Sequence, residues 1–309
     1  MHPYDYTITA LDFNARQVAR TSSRVHYEVT IPAAIDTNYE KPTAIIGDFF
    51  MPNNKKQTPL TILIPGLGDQ SAVPCLNMAR NLVKQGISAF VLYPIFHSGR
   101  TPEIREGQSL PTTPGGWLEV FQFTVTDVRR VIDWAVSRDE VDEKMIGIIG
   151  ASAGGMISAI TMSIERRILA GIFITMGGNN EELSWGAENN AGRTMHSCSR
   201  DECRNAYSKY PRYLEEVTRK GFQNVTPAKE CFLFDTLTFA ACLRERPILM
   251  INALQDEMVP KRSVKDFWEA CGKPQIVWLP NTHTGIFSSQ HIINNEITSF
   301  LYSTFKIIK

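Results

Sequence analysis

Three side chains, far apart in the sequence, have the types and the order needed for nucleophilic catalysis. Ser152 lies in Gly150-Ala151-Ser152-Ala153-Gly154, and Asp256 and His283 follow it along the chain. A serine hydroxyl becomes a nucleophile when a histidine takes its proton and a carboxylate orients that histidine. The pattern therefore predicts an acyl-transfer site with Ser152 as nucleophile, His283 as general base and Asp256 as orienting acid.

The glycines around Ser152 indicate a sharp turn between a strand and a helix. Gly150 and Gly154 flank the serine at a distance of two residues on each side. In a nucleophile elbow these positions stay small because a side chain there would collide with the neighbouring strand and helix. The alternative is a serine that only caps a helix ahead of a glycine-rich packing contact. The coincidence of strand, turn and helix favours the elbow.

Asp256 and His283 each have competitors. Glu257 is a local alternative to Asp256, which could itself be only a helix-capping aspartate, and a lone loop histidine is often merely solvated. His283 is favoured because it lies just beyond the last predicted strand, where a loop can bring its ring back to the serine. The remaining histidines lie before the core, in a long loop, in an insertion or on the final helix: His2, His26, His97, His196 and His291.

Backbone amides near Ser152 are candidate donors to an oxyanion. The segment Pro65-Gly66-Leu67-Gly68 follows a buried strand, and its glycines allow the backbone to turn its N–H groups inward. We predict the amides of Leu67 and Ala153 as the two donors, with Gly68 as an alternative to Leu67. The segment could also be an ordinary glycine-rich turn. It is not a phosphate-binding P-loop, because no Gly-Lys-Ser/Thr follows it.

Alternating strands and helices must position these residues. Hydrophobic patterning predicts strands at 24–31, 43–51, 60–64, 87–93, 145–149, 168–175, 247–253 and 275–279, and helices at 77–85, 117–136, 152–164, 264–270 and 289–305. The first two strands are expected to be antiparallel. The alternation then predicts an α/β protein with a doubly wound, mostly parallel central sheet.

The helix predicted at 117–136 is amphipathic. Its apolar side carries Val128, Val131, Ile132 and Ala135, and its polar side carries Asp127, Arg129, Arg130 and Asp133. Before it, the polar segment 94–116 is rich in proline and glycine and is expected to form a long loop over the site.

The alternation of strands and helices stops between residues 177 and 245. This segment is polar and charged and contains no convincing buried strand. We expect residues 1–176 and 246–309 to form the core domain and 177–245 to be a helical cap inserted into it. Trp185, Phe232 and Phe239 could line a substrate pocket or form the core of the cap, and the second reading is favoured because large apolar side chains are usually buried.

Composition excludes several classes of partner. Basic and acidic residues number 32 each, so the chain lacks the positive charge typical of proteins that bind nucleic acids or anionic lipids. No apolar run approaches the length that spans a membrane, and the first residues do not resemble an export signal. These features predict a cytoplasmic protein with a small-molecule substrate.

The six cysteines are predicted to be free thiols, since nothing in the sequence points to an oxidising compartment. Cys198, Cys203 and His196 form the only cluster that resembles a set of metal ligands. The second cysteine pair of a structural zinc site is missing, so we predict neither a metal nor another cofactor.

With these elements in place, the chain resembles the α/β-hydrolase superfamily from residue 59 to its C-terminus. The elbow Ala151-Ser152-Ala153-Gly154-Gly155 looks like that of hormone-sensitive-lipase-type esterases, although Pro65-Gly66-Leu67-Gly68 stands where those have His-Gly-Gly-Gly. The segments 256–260 and 280–283 look more like dienelactone-hydrolase-like and acetyl-esterase-like members. The resemblance places a cap at 177–245 and implies hydrolysis of carboxylic esters through an acyl-enzyme, without a cofactor. Open alternatives are thioester or peptide cleavage by the same triad, and a non-catalytic binding protein of this fold.

Overall fold

The computed structural model describes residues 3–7, 12–35, 44–53, 57–67, 69–95, 97, 100, 113–188 and 197–307. They form a nine-stranded sheet with the strand order β1-β2-β3-β5-β4-β6-β7-β8-β9. The strands are β1 Asn14–Arg20, β2 Arg24–Ile31, β3 Ile45–Pro52, β4 Thr58–Ile64, β5 Ser88–Tyr93, β6 Val141–Ala151, β7 Ile168–Ile174, β8 Ile248–Ala253 and β9 Gln275–Leu279. Strands β5, β4, β6, β7, β8 and β9 run parallel to one another. Strands β1, β2 and β3 are antiparallel to their neighbours, and β3 joins the parallel part by pairing with β5.

Helices cover both faces of the sheet. In the described residues they are α1 Val73–Lys84, α2 Pro114–Val136, α3 Ala153–Ile164, α4 Asn180–Trp185, α5 Arg200–Tyr207, α6 Tyr210–Lys220, α7 Thr236–Ala240, α8 Lys261–Ala270 and α9 Gln290–Phe305. Helices α1 and α9 pack on one face, and α2, α3 and α8 pack on the other. Every residue of β4 is buried, as expected of a central parallel strand covered on both sides. The predicted α/β fold with a doubly wound, mostly parallel sheet is confirmed.

The sheet changes its direction of winding at β4. The chain passes from β4 to β5 on one side and then returns over β4 to β6 on the other, so β4 lies between these two strands. Loops that leave β4 and β6 therefore diverge and open a crevice at the carboxyl edge of the sheet, where ligands bind in open α/β folds. The segments that carry Leu67 and Ser152 leave these two strands.

The structure corrects several predicted element bounds. Strand β1 was not predicted, because most of its residues are exposed and their pattern lacks a buried face. Helix α1 begins at Val73, before the predicted start at 77, and Pro74 occupies its first turn, where a missing N–H costs nothing. Helix α2 begins at Pro114, so it includes the end of the predicted loop at 94–116.

Most of the polar side of α2 is shielded from water. Asp127, Arg130 and Asp133 are all buried, although an amphipathic pattern ordinarily places such residues at the surface. The N-terminal segment covers part of this side: the Tyr6 hydroxyl donates to Asp133 Oδ2 over 2.6 Å, and Arg129 Nη1 donates to the Tyr4 carbonyl over 2.8 Å. The pattern identified the polar residues correctly but not what lies against them.

Helices α4 to α7 lie between β7 and β8, together with short 3₁₀ turns at Phe222–Asn224, Glu230–Leu233 and Ala241–Leu243. No strand interrupts the described part of this insertion. Its apolar core is built around Phe232, whose ring lies 4.5 to 5.3 Å from the rings of Tyr207, Tyr210 and Tyr213. Within the described ranges, none of the helices is both long enough and apolar enough to cross a bilayer.

Candidate active site

Ser152 occupies a strained turn between β6 and α3. Its φ of 53° and ψ of −122° are unfavourable for a residue with a side chain, and such conformations persist where surrounding structure enforces them. The Ser152 N–H donates to the Ile174 carbonyl at the end of β7 over 2.8 Å, which anchors the turn to the sheet. The hydroxyl is thereby held at the carboxyl edge.

The two flanking glycines are required by close contacts. A Cβ on Gly150 would lie 2.1 Å from the carbonyl oxygen of Gly154, and a Cβ on Gly154 would lie 2.3 Å from that of Ile64. Neither backbone oxygen can move without displacing the element to which it belongs, α3 for Gly154 and β4 for Ile64. The spacing of the glycines in the sequence therefore reflects how closely α3 approaches β4 and β6.

The structure brings Ser152, His283 and Asp256 together in one hydrogen-bonded chain. His283 Nε2 lies 3.0 Å from Ser152 Oγ, and His283 Nδ1 lies 2.9 Å from both carboxylate oxygens of Asp256. The side chains of His283 and Asp256 are each only 6% exposed, so little water competes for these bonds. A carboxylate on Nδ1 keeps the proton there and leaves Nε2 free to accept the serine proton.

The loop after β8 holds the Asp256 carboxylate in place. Asp256 Oδ1 accepts the backbone N–H groups of Met258 over 3.0 Å and Val259 over 2.8 Å. The same loop is tied to the loop after β9, because the Gln255 N–H donates to the Asn281 carbonyl over 3.0 Å. The acid and the histidine therefore reach the serine as one connected unit.

Glu257, the local competitor of Asp256, has a different contact. Its Oε2 accepts the backbone N–H of His283 over 3.0 Å and does not bond the imidazole. Glu257 thus fixes the main chain that carries His283, a contact that sequence reasoning missed. Nothing in the local pattern distinguishes it, because the bond joins two loops that are distant in sequence.

Leu67 and Ala153 both border the cavity that contains Ser152. Ala153 is the first residue of α3, where backbone N–H groups have no partner within the helix. Gly66 approaches the serine closely, since a Cβ on it would lie 3.3 Å from Ser152 Cβ. The alternative donor Gly68 lies outside the described residues.

A second feature that sequence reasoning missed is His97, whose Nε2 lies 2.8 Å from the Gly66 carbonyl oxygen.

The cavity has a volume of about 650 Å³. Its described lining is largely apolar: Pro65, Leu67, Pro74, Trp117, Phe121, Ala151, Ala153, Met156, Leu183, Phe234, Met258, Val259 and Phe287. Among the described residues that line the cavity, Asp69 is the one carboxylic acid. An apolar group of moderate size therefore fits beside Ser152.

The insertion contributes Asn180, Leu183 and Phe234 to this cavity. The aromatic residues considered from the sequence lie elsewhere. Phe232 belongs to the insertion's own core, and Phe239 is fully buried with its ring 5.9 Å from Tyr4 and 5.1 Å from Phe222. Trp185 packs against the same core cluster as Phe232. Phe232 therefore forms the core of the insertion, with the half-buried Trp185 packed against it, whereas Phe239 belongs to the larger core cluster beneath the sheet.

Cys198 and Cys203 lie in the insertion as free thiols. Across the part of the chain that the structure describes, no group of three His, Cys, Asp or Glu side chains is arranged to hold a metal ion. His196, the third member of the cluster considered from the sequence, lies outside that part.

Solved structures with the same fold extend over nearly the whole chain. An acetyl xylan esterase from Paenibacillus sp. R4 superposes with a TM-score of 0.66 at 17% identity, covering 95% of this chain and 89% of that one. Acetyl xylan esterase 1 from Thermoanaerobacterium sp. gives 0.66 at 15% identity, covering 94% and 89%. A cold-adapted esterase from an Arctic intertidal metagenomic library gives 0.59 at 15% identity, covering 93% and 98%. At these identities the likeness shows the fold.

Sequence relatives match a shorter stretch. An uncharacterized protein of Mycobacterium tuberculosis strain H37Rv, and one from strain CDC 1551, are each 26% identical over 169 residues. That stretch is 54% of this chain but only 35% of each relative, so the chain spans about a third of the length of these proteins.

The family model described as "Alpha/beta hydrolase domain containing 18" matches residues 17–180, just over half of the 309-residue chain. The matched range contains Leu67, Ser152 and Ala153 and ends before Asp256 and His283. The resemblance to the α/β-hydrolase superfamily is confirmed. The nine-stranded sheet, the strained serine turn and this match together establish that the chain belongs to the alpha/beta hydrolase domain containing 18 family.

Proposed function

We propose that this protein hydrolyses carboxylic esters with Ser152 as nucleophile. The observation that carries the proposal is the unbroken chain of hydrogen bonds from Asp256 through His283 to Ser152. Ser152, at the end of this chain, borders an apolar cavity. This is the geometry in which a serine hydroxyl is activated by a neighbouring base. The esterases among the proteins of the same fold are consistent with the proposal.

The reaction proceeds through an acyl-enzyme. Ser152 Oγ attacks the ester carbonyl while its proton passes to His283 Nε2, and the amides of Leu67 and Ala153 donate to the developing oxyanion. His283 then gives the proton to the leaving alcohol. Water attacks the acyl-serine by the reverse route, with His283 again as base, and releases the carboxylic acid. Asp256 holds the imidazolium in each step, and no cofactor takes part.

The cavity supports a preference for esters with an apolar acyl group. Trp117, Phe121, Leu183 and Phe234 can cover several methylene groups, each of which contributes about 0.8 kcal/mol when it is removed from water. Asp69 at the same lining disfavours an anionic acyl group. We expect kcat/KM for p-nitrophenyl butyrate and octanoate to exceed that for the acetate, and a succinate half-ester to be a poor substrate.

Ester turnover and active-site labelling test the proposal. The wild-type protein should hydrolyse p-nitrophenyl esters and be labelled by a fluorophosphonate probe, and both should be lost in Ser152→Ala. Ser208→Ala, at an exposed position in the insertion, is the matched control and should retain both. Unchanged turnover in a folded Ser152→Ala protein would contradict the assignment.

The same assays separate the alternatives. Faster cleavage of acyl thioesters or peptide amides than of simple esters would assign the triad to those substrates. A folded wild-type protein that neither turns over any of these compounds nor reacts with the probe would be a binding protein of this fold. The complete hydrogen-bonded chain argues against that outcome.

A further inference from the structure

His97 lies behind the loop that carries Leu67 and is fully buried. Its Nε2 is 2.8 Å from the Gly66 carbonyl oxygen, and it is not among the described residues that line the cavity. A carbonyl oxygen can only accept a hydrogen bond, so Nε2 must carry the proton and donate. Burial lowers the pKa of His97, and the contacts with the Gly66 and Ile95 carbonyls oppose this shift.

The bond from His97 fixes the orientation of the whole peptide group between Gly66 and Leu67. The Gly66 C=O and the Leu67 N–H belong to one planar trans peptide, so they point in opposite directions. Because His97 contacts the carbonyl oxygen, the Leu67 N–H points away from His97. A turn bond from the Asp69 N–H to the same carbonyl oxygen, over 3.0 Å, reinforces this orientation.

His97 is itself held by a rigid support. Its carbonyl accepts the Arg100 N–H over 2.9 Å. The Arg100 guanidinium donates to the Tyr93 carbonyl at the end of β5 over 2.7 Å and pairs with Asp127 on α2 over 2.8 Å. The main chain at His97 is therefore connected through Arg100 to a strand end and to a long helix.

We infer that His97 is a positioning residue of the reaction proposed above: by donating to the Gly66 carbonyl, it turns the Leu67 N–H toward the oxyanion of the ester. The inference rests on the proposed function, because an oxyanion forms only if Ser152 attacks a carbonyl. His97 touches neither the substrate nor the reacting atoms. It acts on the transition state, where the negative charge on oxygen is largest, and not on substrate binding.

A matched pair of variants tests this role. His97→Gln keeps a donor of suitable length, and His97→Met has a similar shape without a donor. Removing one oxyanion donor costs about 10²–10³ in kcat, and a donor that is misoriented but present should cost less. We expect kcat of His97→Met to fall by about 10- to 100-fold with KM within about twofold. His97→Gln should recover kcat to within about fivefold of the wild type.

Affinity for a tetrahedral mimic separates positioning from a purely structural role. A trifluoromethyl ketone that adds to Ser152 forms an oxyanion, so its inhibition constant should weaken in His97→Met by the same factor as kcat. If His97→Met does not fold, His97→Phe, which keeps a ring without a donor, replaces it against His97→Gln. His291→Gln, at an exposed histidine, should behave as the wild type.

Two outcomes would overturn the inference. One is that the Gln, Met and Phe variants share the same kcat and the same ketone affinity. The other is a loss of thermal stability with no difference in kcat between the Gln and Met variants. Either result in a protein whose wild type hydrolyses esters and whose Ser152→Ala variant does not would remove the role of His97 alone and leave the proposed function intact.

Discussion

Two groups of buried ionisable side chains flank the parallel sheet, and they differ in how their charges are balanced. At α2 and the start of β7, the carboxylates of Asp133 and Glu165 face three guanidinium groups, one of which, that of Arg130, lies 4.0 Å from Asp133. Arg167 lies 2.8 Å from each of the two acids, and Arg129 lies 3.3 Å from Glu165. At the carboxyl edge, the Asp256 carboxylate contacts two backbone N–H groups and the ring of His283, whose other ring nitrogen contacts Ser152.

The difference shows that a buried carboxylate can have either a partner that is always charged or a partner whose charge depends on taking up a proton. In the group at α2, which we call the α2 ion cluster (Arg129, Arg130, Asp133, Glu165 and Arg167), each negative charge has a permanent positive partner. This cluster joins α2 to the loop before β7 and to the N-terminal segment. Asp256, in contrast, has a partner that becomes positive only when it takes a proton. The charge of Asp256 is therefore best satisfied in the transition state of the proposed reaction.

The largest expected effect comes from neutralising the acid at the site. Asp256→Asn should lower kcat by about 10⁴-fold, because an amide stabilises the wrong imidazole tautomer and cannot compensate an imidazolium. Urea unfolding should change much less than activity. The measurement is kcat for a p-nitrophenyl ester beside the unfolding free energy. A drop of less than about tenfold would show that Asp256 does not orient His283.

The corresponding change in the α2 ion cluster should affect stability instead. Asp133→Asn removes the carboxylate that faces Arg167 and Arg130 and weakens the bond from Tyr6, so we expect a loss of about 2–3 kcal/mol in unfolding free energy. This is below the value for a fully buried pair because the Arg167 side chain is 34% exposed. Turnover should stay within about twofold of the wild type.

Asp139→Asn, at an exposed acid just beyond α2, is the control and should change neither quantity. If Asp133→Asn instead lowered kcat by more than tenfold in a folded protein, the two groups would be coupled and the comparison between them would fail.

The α2 ion cluster should also make stability depend on acid pH. Burial alone would raise the pKa of Glu165, but the hydrogen bonds and charge of Arg167, with Arg129 behind it, hold that pKa below its ordinary value. A lowered folded-state pKa means that the stabilisation is complete above the unfolded-state pKa and is lost as the pH falls through the folded-state value.

Unfolding free energy measured from pH 7 down to pH 3 tests this sign. The wild type should lose stability more steeply below about pH 4.5 than Glu165→Gln, in which the titrating group is absent. Parallel curves for the two proteins would show that Glu165 has the same pKa in the folded and unfolded states.

The smallest expected effect concerns Glu257. Glu257→Gln should lower kcat by no more than about threefold, because the amide oxygen can still accept the His283 N–H. Glu257→Ala, which removes the acceptor, should reduce kcat further. A loss near 10⁴-fold in Glu257→Gln would instead identify Glu257 as the acid that orients the imidazole and would reverse its role with Asp256.

Local patterns were sufficient to predict most of the fold. Strands such as β4 and β9 and the helix after Ser152 follow from hydrophobic periodicity and from the glycines and prolines that end each run. They were insufficient for β1, because its exposed residues lack a buried face, and for the start of α1, because a first turn makes few apolar contacts. The hydrophobic period of a helix or strand shows which of its faces is buried, but it does not show which other element packs against that face.

The same limit explains the two residues of the site region that were missed. Glu257 and His97 act through bonds to the backbone of distant loops, and a backbone N–H or C=O has no signature in the sequence. His97 also lies in the segment that was expected to be loop. Asp256 and His283 could be predicted as partners of Ser152 because their side-chain types and order along the chain are themselves a pattern.

By itself, the sequence determined the alternation of strands and helices, the glycines that permit the turn at Ser152, and the order of serine, acid and histidine. These depend on residue type and spacing, which local sterics and hydrophobicity translate directly into structure. Only the tertiary structure decided which buried carboxylates are matched by a guanidinium and which one contacts the ring of His283. It also decided that His97 supports Gly66, since contacts between segments far apart in the chain arise only when the sheet has assembled.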